Sequence, residues 1–205
     1  MDAIRAYKLK SGNVLKIYTD DDPMNPRKEW DNLGTMLCWH SRYDLGDKNK
    51  RENPYKPEDY GSMEELANAI IKGEDVAVIL PLYLYDHSGI TMSTGPFSCP
   101  WDSGQVGFIF VSKEKLRKEY SKKHLTKKFL KKIEEYLTTE VNVYDQYLTG
   151  DVYGFRVVKP TKCDECGHED EDEIDACWGF FGDDIKENGI MEHVGKDEIV
   201  EEIKG

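Results

Sequence analysis

Asp86, His87, Cys99 and Asp102 fall within one short stretch of the chain, and their types suffice for two chemistries. An imidazole can take the proton of a thiol and leave a nucleophilic thiolate, as a Cys/His hydrolase requires. Carboxylates beside an imidazole can instead hold a divalent ion, as a metal-dependent nuclease requires. Trp101 and Ser103 stand in the same loop as candidate binding residues. No nucleophile elbow, H-E-x-x-H or cysteine-protease signature accompanies them. A plainer reading makes Cys99 and Trp101 core residues and gives Asp86, Ser88 and Asp102 turn-shaping roles.

Two other clusters carry ligand-type side chains. Cys38 and His40 sit two apart on a predicted strand, Thr35 to Tyr43, so both point to one face with Arg42 beyond them. That spacing suits a binding or acid–base pair if another strand supplies partners; a core cysteine with a satisfied histidine is the plainer alternative. The string Cys163-Asp164-Glu165-Cys166-Gly167-His168 resembles half of a zinc knuckle, with Cys163, Cys166 and His168 as candidate ligands. Three ligands are one fewer than a closed structural zinc site takes. A hairpin turning near Gly167 puts Cys177 opposite Val157, some 20 Å from Cys163 at about 3.3 Å per residue. The alternative is a solvated hairpin tip with free thiols and no cofactor.

These residues need elements to hold them. Ala3 to Asp20 reads as a β-hairpin around Ser11-Gly12-Asn13. Ser62 and Glu65 mark the start of a helix from Met63 to about Lys72, which Gly73 stops. Val76–Tyr85, Ile90–Thr94 and Val106–Val111 read as strands, so the 86–103 loop joins strand ends. Ser112 and Thr126 can cap two helices, the second reaching about Leu148 with apolar residues repeating at three to four. Val152–Lys159 and Ile174–Phe181 pair about a very acidic turn. Asp183–Asn188 is expected to be a short helix, and the segment ending the chain a marginal one. Strands adjacent in sequence, without regular βαβ alternation, predict an α+β fold. This is one domain with an antiparallel or mixed sheet and helices packed on one face, an acidic hairpin at about 152–181 and a marginal tail at about 190–205.

Charge divides the chain unevenly. The net charge is −12, yet Lys113 to Lys132 carries ten basic and two acidic residues. From Glu134 to Gly205 there are 21 acidic and 6 basic residues. The basic stretch leaves Leu116, Tyr120, Leu125, Phe129 and Ile133 at core-facing spacing, the pattern of an amphipathic surface helix. The global acidic excess opposes direct binding to nucleic acid, whose phosphates it repels. It suits solubility, or competition with a nucleic acid for a basic protein surface. No apolar run approaches the roughly 18 residues of a membrane span, and the N-terminus lacks a signal-peptide core. The expected location is the cytoplasm, with the 5 cysteines reduced or bound to metal.

The strings GTMLCWHSRYDLGD, YDHSGITMSTGPFSCPWDSGQVGFIFVSKEKLRKEY, VYDQYLTGDVYGF and IDACWGFFG resemble those of a family of small uncharacterised proteins encoded by bacteriophages and other mobile elements. The resemblance runs from about Asp22 to Gly182. It implies an accessory protein acting inside a bacterial host cell and supplies no reaction, cofactor or catalytic residue. The Cys163–His168 tip departs from that pattern, in which a plain acidic turn is usual. The leading expectation is therefore a non-enzymatic protein that binds and modulates a host or mobile-element protein, one that itself holds nucleic acid being the case the charge suits. A small enzyme centred on residues 86–103 and a zinc-stabilised interaction module are the alternatives.

Overall fold

The computed structural model describes residues 2–48, 51–195 and 197–203. Its class is α+β, built on two antiparallel sheets. The chain divides into two compact units, Met1–Met24 with Gly150–Gly205, and Asn25–Thr149.

The first unit is a five-stranded sheet. Its strands are β1 (Arg5–Leu9), β2 (Val14–Thr19), β7 (Val152–Lys162), β8 (Glu169–Phe181) and β9 (Ile199–Ile203), in the order β8-β7-β2-β1-β9. Alternation explains which face is buried: Leu15, Ile17, Phe155 and Val157 point inward, with α5 (Ile190–Val194) supplying Ile190 to the same cluster. Gly154 is obligatory for packing, because the indole of Trp178 occupies the space where a Cβ would stand. The terminal segment expected to be helical is strand β9, which completes the edge of β1 through pairs such as Tyr7↔Glu202. Residues 183–188 form turns rather than a helix, and helix α5 follows Gly189 instead. Lys196, Lys204 and Gly205 of the expected tail lie outside the described residues.

The second unit holds a four-stranded sheet in the order β3-β6-β4-β5. Its strands are β3 (Thr35–Cys38), β4 (Val76–Asp86), β5 (Ile90–Ser93) and β6 (Ser103–Ser112). Helix α4 (Lys127–Thr149) covers one face, burying Ile133, Leu137, Val141 and Tyr144 against Met36, Leu82, Ile109 and Val111. Helix α2 (Met63–Gly73) covers the other, with Leu66 and Ile70 against Leu37, Phe108 and Phe110. Here the expected one-sided packing extends to both faces. The reason is local: β6 is apolar at consecutive positions, Phe108-Ile109-Phe110-Val111, so neither of its faces can be left to water. Ser112 caps α3 (Lys113–Glu119) by accepting from Lys115 N, and Ser62 caps α2 by accepting from Glu65 N at 3.1 Å. The short α1 (Pro26–Glu29) delivers Arg27 into a buried ion network with Asp47 and Glu140.

Candidate functional site

Pairing of β4 with β6 brings the ends of the 86–103 loop together. Tyr85 lies opposite Ser103, and Asp86 N donates to Asp102 O at 2.8 Å. The Asp102 carboxylate is the hub of the cluster: His87 Nδ1 stands 3.3 Å from its Oδ2, and the Cys99 thiol donates to the same oxygen at 3.7 Å. Ser103 Oγ donates to Cys99 O at 2.5 Å, and Ser88 (φ 57°) tightens the turn after β4. Asp86 points elsewhere. It takes the Arg42 guanidinium and the Tyr43 hydroxyl, the latter at 3.2 Å. Trp101, read in one version as core, is 91% exposed.

The order along this cluster is thiol, carboxylate, imidazole. A Cys/His nucleophile needs the imidazole on the sulfur, whereas here the Cys99 thiol is directed at the Asp102 carboxylate. Among the described residues, no three His, Cys, Asp or Glu side chains form a group that could hold a metal. The rim is thus a hydrogen-bonded strand junction capped by an exposed indole.

Cys38 and His40 part company. Strand β3 stops at Cys38, whose side chain is buried in the core, and Trp39 N then donates to Val106 O at 2.7 Å. His40 lies in the following turn, where its Nδ1 accepts from Arg42 N at 3.3 Å and Tyr43 N at 3.2 Å. The one-face expectation required an extended chain through Tyr43, and this side-chain-capped turn ends it. Beside the turn lies an open hollow of about 830 Å³, lined by Trp39, His40, Arg42, Tyr43 and Lys56 among others.

The β7–β8 hairpin runs on beyond the buried cluster to Lys162↔Glu169. Glu169 to Glu173 are five consecutive exposed acids on β8, an outer strand of its sheet. One face carries a ladder of ion pairs: Lys162–Glu169 at 3.0 Å, Lys16–Glu171, and Arg156–Glu173 at 3.4 Å. Asp170 and Asp172 belong to the other face, where no ion pair to them is formed among the described residues.

At the tip, Cys163 N donates to His168 O and Gly167 N to Cys163 O, each at 2.8 Å. Around the exposed Cys163 thiol, the Cys166 and Glu165 backbone and then the Cys166 side chain act as hydrogen-bonding influences. These favour the thiolate and bring the Cys163 thiol below its ordinary pKa. His168 does not gather with the two sulfurs into a metal-binding trio. Cys177 pairs with Phe155, far down the ladder from the tip. Burial has the opposite effect on Cys38: desolvation, then the negative charge of Asp47, push its thiol up to about 12.

This contrast yields a reactivity order. In native protein at pH 7.5, an aromatic disulfide reagent should modify Cys163 and Cys166 within the first phase and leave Cys38 untouched until denaturant is added. Modification of Cys38 at the rate of the tip cysteines would contradict the burial that sets it apart.

Sequence reasoning missed the Arg27–Asp47–Glu140 network and the Asp145 carboxylate that accepts from Thr91 Oγ1 at 2.7 Å and Met92 N at 2.6 Å. Nothing local signals either, since the partners lie far apart in the chain. No described helix is long and apolar enough to cross a membrane. No family model, curated protein or solved structure matches the chain.

Proposed function

We propose that this chain is an acidic accessory protein that engages a basic surface of another protein through the outer edge of β8. Its natural partner in this reading is a nucleic-acid-binding protein of the bacterial host or of a mobile element. The single observation that carries the reading is the run Glu169–Glu173 on an exposed outer strand. A β-strand rises about 3.4 Å per residue, and a strand of B-DNA carries one negative charge per about 3.4 Å of axis. Five successive acids on a strand match that spacing. Glu169, Glu171 and Glu173 are partnered by Lys162, Lys16 and Arg156 on one face, so Asp170 and Asp172 on the other carry the charge open to a partner. The outer edge adds main-chain donors and acceptors along the same line, which can pair with an extended segment of the partner. Acids on such an edge also keep copies of the chain from pairing with one another.

The phage and mobile-element resemblance supports an intracellular setting for such a factor. The rim at residues 86–103 gives no comparable support to a hydrolase or nuclease, because its thiol and imidazole meet through Asp102.

Electrostatic recognition weakens as screening shortens its range, from a Debye length of about 14 Å at 0.05 M salt to about 7 Å at 0.2 M. Fluorescence anisotropy with a labelled decalysine peptide should accordingly show the affinity falling by about tenfold or more over that interval. Competition with duplex DNA for a basic bacterial DNA-binding protein should follow the same dependence. An affinity that stays flat across this salt range would count against the proposal.

A further inference from the structure

We propose that the junction of α3 and α4 is a binding surface for single-stranded nucleic acid, where exposed lysines hold phosphates and Tyr120, Tyr136 and Trp30 offer faces for bases. The surface lies wholly in the Asn25–Thr149 unit and is independent of the acidic arm on β8. Eight of the ten basic residues between Lys113 and Lys132 are exposed. Among the described residues, only Lys113 of these ten enters an ion pair, with Asp75. Lys115 Nζ donates to Asn32 O at 2.7 Å, and Lys122 Nζ lies 5.3 Å from the centre of the Phe129 ring. Arg117 and the other six lysines keep their charge open to a partner. The connection between the helices is held in place, because Tyr120 packs edge-on against Phe129 with ring centres 5.1 Å apart.

Charge alone suits any polyanion; the aromatic rings select among them. Lys128, Lys132 and Tyr136 follow one another at intervals of four along α4 and so share one side of the helix. Tyr136 shares a hollow of about 70 Å³ with Tyr120 and Lys115, and lines a second of about 160 Å³ with Trp30. All three rings are exposed. A cationic strip continued by aromatic faces is what a single strand requires, since its unpaired bases offer π-faces that a duplex keeps stacked. Asp31 and Glu119 border the smaller hollow, repel phosphate and leave that position to a base. An anionic bilayer needs aliphatic side chains to insert, and Leu116, Ile133 and Leu137 of these helices are buried. The acidic excess of the chain belongs to the other unit. Residues 25–149 hold 18 basic and 19 acidic residues, and ten of those 18 lie between Lys113 and Lys132.

The test uses the full chain and fluorescence anisotropy at about 0.05 M salt, with a labelled oligothymidylate of about 20 nucleotides as the probe. Binding should saturate and weaken as salt rises. Lys123→Gln, Lys127→Gln, Lys128→Gln and Lys132→Gln together should lower the affinity by on the order of tenfold or more and flatten its salt dependence. Tyr136→Ala should lower it by on the order of tenfold, while Tyr136→Phe, which keeps the ring, retains it. Labelled inorganic polyphosphate, which has the charge without the bases, should bind the parent and Tyr136→Ala alike. Circular dichroism of these exposed variants should match the parent. Failure of the oligothymidylate to bind, or equal affinity of the parent and Tyr136→Ala for it, would overturn the proposal. Tighter binding to a duplex of the same length, or to phosphatidylglycerol vesicles, would overturn it in favour of that partner.

Discussion

Replacing Arg27 with alanine is expected to destabilise the Asn25–Thr149 unit by about 3–5 kcal/mol, the usual consequence of stranding buried charge. The Arg27 side chain is 1% exposed, and those of Asp47 and Glu140 are 24% and 9% exposed. The guanidinium donates from Nε to Asp47 Oδ1 at 2.7 Å, from Nη1 to Glu140 Oε2 at 3.0 Å and from Nη2 to Gly34 O at 2.8 Å. The carboxylates are tied in turn to the backbone: Glu140 accepts from Leu33 N at 2.7 Å, and Asp47 from Met36 N at 2.8 Å. Removing the cation leaves two poorly hydrated anions and one unpaired carbonyl. Lysine cannot restore the geometry, because its single ammonium lacks the planar fork that reaches all three acceptors. Changing the whole set together, Arg27→Met with Asp47→Asn and Glu140→Gln, should recover much of the loss, since no buried charge then remains. Urea unfolding measures this as a shift in midpoint at constant slope. A loss below about 1 kcal/mol for Arg27→Ala would show that the network contributes little.

That network also marks where reading the chain stops. Arg27 and Glu140 are 113 residues apart, and neither residue's surroundings in sequence differ from those of an ordinary surface charge. Signals confined to a few residues survived well. Ser11-Gly12-Asn13 turns the first hairpin, Ser62 caps α2, and Thr126 accepts from Phe129 N at 3.3 Å at the start of α4. Where two periodicities compete, tertiary structure decides: Ile199, Val200 and Ile203 fit either a helix turn or a strand, and the open edge of β1 takes them as strand. The turn at the acidic tip is centred between Glu165 and Cys166 rather than at Gly167, and the strand register shifts by one between Val157 and Val158, which together move Cys177 from Val157 to Phe155. The candidate site divides the same way. Charge on β8 is legible residue by residue, whereas the thiol–carboxylate–imidazole order at residues 86–103 depends on rotamers that no pattern encodes.

The second large effect concerns recognition. Converting Glu169, Asp170, Glu171, Asp172 and Glu173 to their amides should weaken binding to a basic peptide by on the order of 50–100-fold at low salt. The figure rests on about 0.5 kcal/mol per exposed charge, the range found for surface pairs. The fold should tolerate the change, because the three ion pairs it removes lie at the surface and contribute little to stability.

Net charge alone would predict the same weakening wherever five acids are removed. The direct measurement is therefore a comparison at 0.05 M salt between the arm variant and one in which Glu58, Glu64, Glu119, Glu134 and Glu135, all exposed and all in the other unit, become glutamine. Decalysine anisotropy should register the full loss in the arm variant and no more than a few-fold change in the control. Equal losses in the two, or an arm variant that binds as the parent does, would contradict recognition through β8.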